Sequence, residues 1–189
     1  MKIGVLALQG AVREHANSLM NCGVEPVEIR YSEQLSEIQG LIIPGGESTT
    51  VGKLLIKYKM LEPIAKMGQN GFPIFGTCTG LILLAKEIIG SVQPRLGLMD
   101  INVERNAFGR QIASFEQDIP IPELGPEPFH AVFIRAPYIT KGGEEVRILA
   151  RLEEKILFAR QKNLLAAAFH PELTKDLRIH QYFIEMCSK

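Results

Sequence analysis

The sequence has no tryptophan, few cysteines and no net charge, because 21 lysines and arginines balance 21 aspartates and glutamates. Zero net charge argues against nucleic acid or an anionic membrane surface as the main partner. The three cysteines, Cys22, Cys78 and Cys187, are odd in number, widely spaced and without a C-x-x-C pair. This pattern argues against a zinc site or a disulfide framework, so we expect no bound metal and free thiols in a reducing cytoplasm.

Long hydrophobic runs are also absent. No apolar stretch approaches the roughly 20 residues that a membrane-spanning helix needs. The apolar run at residues 3–8 is too short for the core of a signal peptide, because Gln9 and Arg13 follow soon after it. We therefore expect a cytoplasmic location and no membrane partner.

What the sequence does have is an ordinary globular composition, with 46% hydrophobic and 22% charged residues. Its 189 residues suit one domain that covers residues 1–189. A chain of this size buries roughly 70% of its unfolded surface, so it needs neither a disulfide nor a metal to hold a core.

The first half of the chain alternates between short apolar runs and segments with helical periodicity. Strands are predicted at residues 3–8, 26–29, 41–43 and 73–75, with helices between them and a final apolar helix at residues 81–89. Such alternation predicts a three-layer α/β fold, in which helices flank a mostly parallel central sheet. Ligands bind beyond the carboxyl ends of such strands, so the glycine-rich turns after them should converge on one site.

The second half has a different pattern, which predicts an antiparallel extension of the sheet. A turn at Glu153 and Glu154 separates two of its strands, and an amphipathic helix is predicted at residues 175–187. Residues 117–130 contain four prolines and are predicted to form an irregular surface excursion. The strands are predicted at residues 99–105, 131–134, 146–152, 156–160 and 164–169.

Residues 76–80 (GTCTG) have the form G-x-C-x-G and lie between a predicted strand and a predicted helix. This is the setting of a nucleophile elbow, with a thiol in place of a hydroxyl group. The helix N-terminus would favour the thiolate of Cys78, and the N–H of Thr79 could face a developing oxyanion. Taken alone, the pattern fits a buried structural cysteine in a tight turn about as well.

Residues 169–172 (FHPE) provide a second signal. His170 closes an apolar run and should therefore lie at a strand end, while Pro171 stiffens the turn. Glu172 follows two residues later and can reach the imidazole. A base oriented by a carboxylate is the logic of a catalytic triad, so the two motifs together favour a Cys78–His170–Glu172 triad.

Residues 44–50 (PGGESTT) follow the third predicted strand. A phosphate-binding loop is excluded, because the spacing from Gly46 to Lys53 is one residue too long and Leu54 occupies the Ser/Thr position. A Gly-Gly pair at a strand end instead suits a backbone that approaches a ligand closely or changes conformation.

The chain resembles the glutaminase subunits of the two-component pyridoxal 5′-phosphate synthases, which are class I (triad) glutamine amidotransferases. The resemblance covers essentially the whole chain and rests on residues 4–15, 41–50, 75–78, 105–111 and 133–137. It implies a flavodoxin-like fold and hydrolysis of L-glutamine to L-glutamate and ammonia. It also implies delivery of the ammonia to a synthase subunit in a large hetero-oligomer. No cofactor is implied, since pyridoxal 5′-phosphate is the partner's product.

The resemblance implies a role for each triad residue: Cys78 attacks the glutamine amide, His170 acts as general base and then acid, and Glu172 orients His170. The N–H groups of Gly46 and Thr79 would form the oxyanion hole. Thr79 departs from the alanine expected at that position, which affects only fine geometry.

The same resemblance implies that Gln9 supports the oxyanion region, and that Arg13 and Glu14 lie near the synthase interface. The residues implied to bind glutamine are Gly46, Glu47, Ser48, Arg105, Ile134 and Arg135.

The remaining histidines and cysteines receive structural interpretations. His15 is expected at the surface or at an interface, and His130 and His180 are expected to serve packing. Cys22 and Cys187 lie near predicted helix ends and are expected to be buried apolar fillers.

Three alternatives remain open at this point. A glutaminase of the histidine-pathway type shares the triad but not the motifs at residues 8–10 and 47–50. A cysteine hydrolase of the DJ-1 or intracellular-protease type places a cysteine on an elbow but lacks a late His-x-Glu. A non-catalytic scaffold would have no need of an intact Cys78, His170 and Glu172.

Overall fold

The central strands of the fold are short segments that are buried on both faces. β1 (Lys2–Leu6), β3 (Gly40–Ile43), β4 (Ile74–Thr77) and β12 (Leu164–Ala167) have buried side chains at nearly every position. Continuous burial is typical of parallel strands covered by helices on both sides. The structure is a computed structural model that describes residues 1–105 and 114–188.

Strands and helices alternate through the first half, as the sequence predicts. The α-helices described are α1 (Val12–Asn21), α2 (Ser48–Lys57), α3 (Leu61–Gln69), α4 (Thr79–Leu84) and α5 (Arg178–Cys187). Short 3-10 helices cover Ser32–Glu37, Pro122–Leu124 and Pro171–Leu173. The other strands described are β2 (Glu25–Ile29), β5 (Ala85–Ile88), β6 (Met99–Glu104), β7 (Ser114–Ile119), β8 (Phe129–Ile134), β9 (Tyr138–Gly142), β10 (Arg147–Leu152) and β11 (Lys155–Gln161).

One large sheet runs in the order β2-β1-β3-β4-β12-β11-β9-β6-β5. The pairs from β2 to β12 are parallel, while β12, β11, β9 and β6 pair antiparallel along the sheet. β5 pairs parallel with β6, β10 pairs antiparallel with β11, and β7 and β8 form a separate antiparallel pair. The predicted α/β class, with a mostly parallel sheet and an antiparallel extension, is therefore confirmed.

Helices cover both faces of the sheet at β4. The Phe75 ring lies 5.5 Å from the Phe183 ring of α5. Ile74 packs on the opposite face, close to Gly68 of α3, because neighbouring residues of a strand point to opposite faces. On α5 the predicted apolar positions Ile179, Phe183 and Met186 are all buried. Across the described ranges, no helix combines the length and the apolar character that crossing a bilayer requires.

The apolar helix predicted at residues 81–89 ends at Leu84, and Ala85–Ile88 is strand β5. The strand pairs with β6, and its two exposed side chains bind partners across that pair. Lys86 Nζ donates to Asp100 at 3.1 Å, and Asn102 Nδ2 donates to Glu87 at 2.7 Å. A short apolar run does not by itself distinguish helix from strand, and here tertiary pairing determines the outcome.

The surface excursion predicted at residues 117–130 is shorter than expected. Residues 117–119 belong to β7 and residues 129–130 belong to β8, so all four prolines lie in the connection between these strands. β9 is a strand that the sequence did not predict. Of the motif at residues 105–111, only Arg105 lies within the described residues.

Candidate active site

Cys78 lies on a sharp turn between β4 and α4. Its backbone has φ 48° and ψ −97°, a conformation that non-glycine residues adopt only when the surroundings enforce it. The Cys78 N–H donates to the Ala167 carbonyl at 2.8 Å. A side chain on Gly80 would overlap the Ile43 carbonyl oxygen, and one on Gly76 would overlap the Gly80 backbone. The small residues of the motif therefore permit the turn that presents the thiol.

The pairing of β4 with β12 brings the two sequence motifs together. The strands are parallel, with Thr77 opposite Ala167, so the chain leaves both strands at the same edge of the sheet. Cys78 follows β4 directly, and His170 follows β12 by three residues. The His170 N–H donates to the Val132 carbonyl at 2.8 Å, which fixes the backbone from which the imidazole projects.

The imidazole of His170 lies between the thiol and the carboxylate. Its Nδ1 is 2.7 Å from Glu172 Oε1, and the ring lines the same cavity as the Cys78 thiol. Burial lowers the pKa of His170, but the neighbouring Cys78 and Glu172 outweigh that effect and raise the pKa to about 10. At neutral pH this favours an imidazolium ring beside the sulfur, the arrangement that a thiolate nucleophile requires.

Glu172 is a buried carboxylate behind His170. Burial raises its pKa, but the neighbouring imidazoles of His15 and His170 overcome this effect and leave the pKa of Glu172 lowered. Its second oxygen, Oε2, lies 3.3 Å from His15 Nε2. The structure thus places an ionised carboxylate between two imidazoles.

The expectation that His15 lies at a surface or interface is wrong. His15 is fully buried on α1, with Nε2 3.0 Å from Thr77 Oγ1 and Nδ1 3.0 Å from His180 Nε2. A signal was available, because residue 15 lies three positions after Val12 and four before Leu19, on the inward face of the helix.

The expectation of packing roles is met by one of the two remaining histidines. His180 is buried on α5, with its ring 6.5 Å from that of Phe75. His130 is exposed instead, because it faces away from the core on β8, where it binds Asp118 at 2.7 Å and Glu116 at 2.9 Å.

The two residues predicted to form the oxyanion hole, Gly46 and Thr79, are in contact. Thr79 Oγ1 donates to the Gly46 carbonyl at 2.6 Å, a bond that an alanine at this position could not make. The Gly45 carbonyl accepts from the Ala11 N–H at 3.1 Å, so the Gly46 N–H of the same trans peptide points away from Ala11. Gln9 Oε1 accepts from the Glu47 N–H at 2.8 Å and holds this loop.

A cavity of about 460 Å³ opens above Cys78, a volume that suits a small molecule. Of the predicted site residues, only Glu172 does not line it, because the carboxylate lies behind His170. Gly45 also lines the cavity, as expected of the Gly-Gly pair, and so does Ile82, which the sequence did not single out. The predicted residues that line it are Gln9, Gly46, Glu47, Ser48, Cys78, Thr79, Arg105, Ile134, Arg135 and His170.

Glu47 has a structural task in addition to its place in the cavity wall. Its carboxylate caps the N-terminus of α2, accepting from Thr50 Oγ1 at 2.6 Å, the Thr50 N–H at 2.7 Å and the Thr49 N–H at 3.0 Å. The Thr50 hydroxyl, with these backbone groups, lowers the pKa of Glu47 to about 2 despite the opposing effect of burial. A negative charge therefore stands at the cavity wall.

The guanidinium group of Arg105 is positioned by Gln93, a residue that the sequence did not single out. Arg105 Nη1 donates to Gln93 Oε1 at 2.8 Å, and the same oxygen accepts from Ser48 Oγ at 3.3 Å. No motif surrounds Gln93, so its role became visible only from the fold. Within the described part of the chain, no group of three or more His, Cys, Asp or Glu residues is arranged to hold a metal ion.

Comparisons with known proteins find relatives over essentially the whole chain. The model of the SNO glutamine amidotransferase family matches residues 5–189. A protein of Pelotomaculum thermopropionicum named pyridoxal 5′-phosphate synthase subunit PdxT is 66% identical over 187 residues, covering 99% of this chain and 95% of that protein. A protein of the same name from Moorella thermoacetica is 62% identical, covering 98% and 99%. A crystal structure of a glutamine amidotransferase, 50% identical, superposes with a TM-score of 0.94 over 99% of both chains.

We predict that Cys78 is the reactive thiol of the folded protein. Cys22 and Cys187 are half-buried, not fully buried as expected, and burial raises the pKa of both, that of Cys187 to about 12. Brief treatment with iodoacetamide at neutral pH, followed by peptide mapping, should find the label on Cys78. The Cys78→Ala variant should remain almost unlabelled, whereas equal labelling of Cys22 or Cys187 in the folded chain would contradict this prediction.

We also predict that buried His180 makes the fold sensitive to acid. Burial, reinforced by the adjacent imidazole of His15 and opposed by the charge of Glu172, lowers the pKa of His180 to about 3. In the unfolded chain it titrates near 6.5, so the unfolded state binds more protons between these values and stability falls as pH falls. The loss is at most about 1.4 kcal/mol per pH unit for one proton.

Urea unfolding at pH 7 and pH 5 measures this effect. His180→Gln removes the titration and should lose less stability than the wild type between the two values. His130→Gln is the matched control, because hydrogen bonds to Asp118 and Glu116 raise the pKa of exposed His130. The His130→Gln variant should therefore lose slightly more stability than the wild type between pH 7 and pH 5. An unchanged loss in His180→Gln would show that its titration does not matter.

Proposed function

The chain belongs to the SNO glutamine amidotransferase family, and we propose that it is the glutaminase subunit of a pyridoxal 5′-phosphate synthase. In this role it hydrolyses L-glutamine to L-glutamate and ammonia. The observation that carries the proposal is the position of His170, which is hydrogen-bonded to Glu172 and lines, together with Cys78, a cavity of about 460 Å³. The relatives named PdxT support the identity of the synthase.

In the proposed reaction, the Cys78 sulfur attacks the side-chain amide carbon of glutamine. The carbonyl oxygen gains negative charge, which the N–H groups of Gly46 and Thr79 stabilise; one such donor contributes about 10²–10³ in rate. His170 then donates its proton to the departing nitrogen, ammonia leaves, and a thioester remains. A water molecule, deprotonated by His170, hydrolyses the thioester to glutamate and free thiol, while Glu172 holds the ring in orientation.

The charges of the cavity suit the zwitterionic end of an amino acid. Glu47 is ionised because its cap bonds stabilise the carboxylate, and it can attract the α-ammonium group. Arg105, held through Gln93, can bind the α-carboxylate. Opposite charges in one cavity favour an amino acid over a peptide bond as substrate, which argues against the protease-type alternative.

Glutamine binding is further assigned to Ser48, Ile134 and Arg135, which line the same cavity. The backbone of Arg135 has φ 44°, and the Ile134 carbonyl lies 4.0 Å from the Cys78 sulfur. Backbone groups of this turn therefore stand beside the nucleophile, where they can contact the bound side chain.

The proposal extends to the setting in which the enzyme works. Residues 1–189 would form a single glutaminase domain and pass ammonia to a synthase subunit within a hetero-oligomer. All three cysteines are free thiols, which is consistent with the reducing cytoplasm as the location.

The experiment that tests this function separates the production of ammonia from its use. With the cognate synthase, Cys78→Ala should abolish formation of pyridoxal 5′-phosphate from glutamine but not from an ammonium salt, because only the nucleophile is lost. Cys22→Ala should retain both activities, which controls for the effect of removing a thiol. If Cys78→Ala and the wild type use glutamine equally well, Cys78 is not the nucleophile and the proposed function is wrong.

A further inference from the structure

Behind the triad lies a connected row of buried polar side chains. His170 Nδ1 is 2.7 Å from Glu172 Oε1, and Glu172 Oε2 is 3.3 Å from His15 Nε2. His15 Nδ1 is in turn 3.0 Å from His180 Nε2. The side chains of His15 and Glu172 are fully buried, so water does not compensate for a missing partner. The row extends from the cavity to α5, and its far end has no place in the reaction as described above.

The proton positions in this row follow from the groups that each nitrogen faces. His15 Nε2 faces the Thr77 hydroxyl oxygen at 3.0 Å and the Glu172 carboxylate, so it must carry a hydrogen. Burial lowers the pKa of His15, with the carboxylate of Glu172 opposing this. A neutral His15 with hydrogen on Nε2 accepts through Nδ1, and His180 Nε2 must then be the donor. His180 Nδ1 is left as a bare acceptor, consistent with its lack of a partner among the described residues.

We propose that His15 is a positioning residue of the triad. Its Nε2–H donates to the hydroxyl of Thr77 and places a positive dipole 3.3 Å from the second oxygen of Glu172, and His180 fixes the tautomer of His15. The proposal rests on the proposed function, since it assigns His15 to the same catalytic apparatus.

Two features give His15 an influence on the chemistry. Thr77 directly precedes Cys78, so the contact with Thr77 ties the elbow to the same imidazole that faces Glu172. Glu172 Oε2 makes no well-directed hydrogen bond among the described residues, and the N–H dipole of His15 is the positive group placed beside it. Without that dipole, a buried carboxylate favours its protonated form, which cannot hold the His170 imidazolium.

Two amide substitutions at this position separate positioning from simple packing. The amide nitrogen of His15→Gln can reach the place of Nε2 and keep the donor, whereas that of His15→Asn reaches only the place of Nδ1. With the synthase present, His15→Asn should lower kcat for glutamine about tenfold or more, since it removes a donor beside a charged group. Its KM should change less than about twofold, because no glutamine-binding residue is altered. His15→Gln should recover most of the lost rate.

The pH profile provides the readout that a packing role would not change. The titratable groups facing His15 are Glu14 on its own helix, Glu172 and His170 after β12, and His180 on α5. Loss of the Nε2 donor raises the pKa of Glu172. The acidic limb of the kcat profile should therefore move to higher pH in His15→Asn and return toward the wild-type position in His15→Gln.

The outcomes distinguish this proposal from the function on which it rests. Wild type and Cys78→Ala are measured in the same assay, and equal rates would overturn the function itself. Suppose instead that the wild type is active and Cys78→Ala is not. The role of His15 would then be overturned if His15→Gln and His15→Asn lost kcat equally and the acidic limb of the kcat profile did not move. A wild-type rate in His15→Asn would overturn it as well. Urea unfolding of both variants shows whether a loss of rate is accompanied by a matching loss of stability. A match would also contradict a positioning role for His15.

Discussion

The parallel pairing of β4 with β12 is the interaction on which the rest of the site depends. It sets Thr77 opposite Ala167, and the Cys78 N–H bonds to the Ala167 carbonyl. A nucleophile and a base from distant parts of the sequence thereby leave the sheet at one edge. A shift of this register by one residue would turn the side chains to the opposite face and separate the thiol from the imidazole.

Around this pairing, the structure tolerates features that cost stability. Cys78 has a backbone conformation that few non-glycine residues adopt, and Glu172, His15 and His180 are polar groups buried against the core. Each is unfavourable by itself. They persist because the buried strands and α5 hold them in a single arrangement, in which Glu172, His15 and His180 form one connected row. The catalytic apparatus is therefore continuous with the core beneath it.

The sequence predicted most of the central sheet from local patterns, whereas most residues of the cavity were implied by the family resemblance. Buried strands appear as apolar runs, and the elbow and His-Pro-Glu are short motifs. The helix predicted at residues 81–89 and the excursion at residues 117–130 were misjudged because strand pairing, which is not local, decides them. His15 and Gln93 were missed for a similar reason, since their partners come from distant segments. Helical periodicity could have predicted that His15 faces inward on α1, but it could not have predicted which residues His15 contacts.

The central claim is that Cys78 attacks a glutamine side chain in this cavity, and a covalent complex tests it most directly. The measurement is a crystal structure of the protein with its synthase after treatment with a glutamine-like chloroketone. The account predicts continuous density from the Cys78 sulfur to the ligand, with its α-ammonium and α-carboxylate groups between Glu47 and Arg105. Attachment to another residue, or a ligand outside this cavity, would contradict the account.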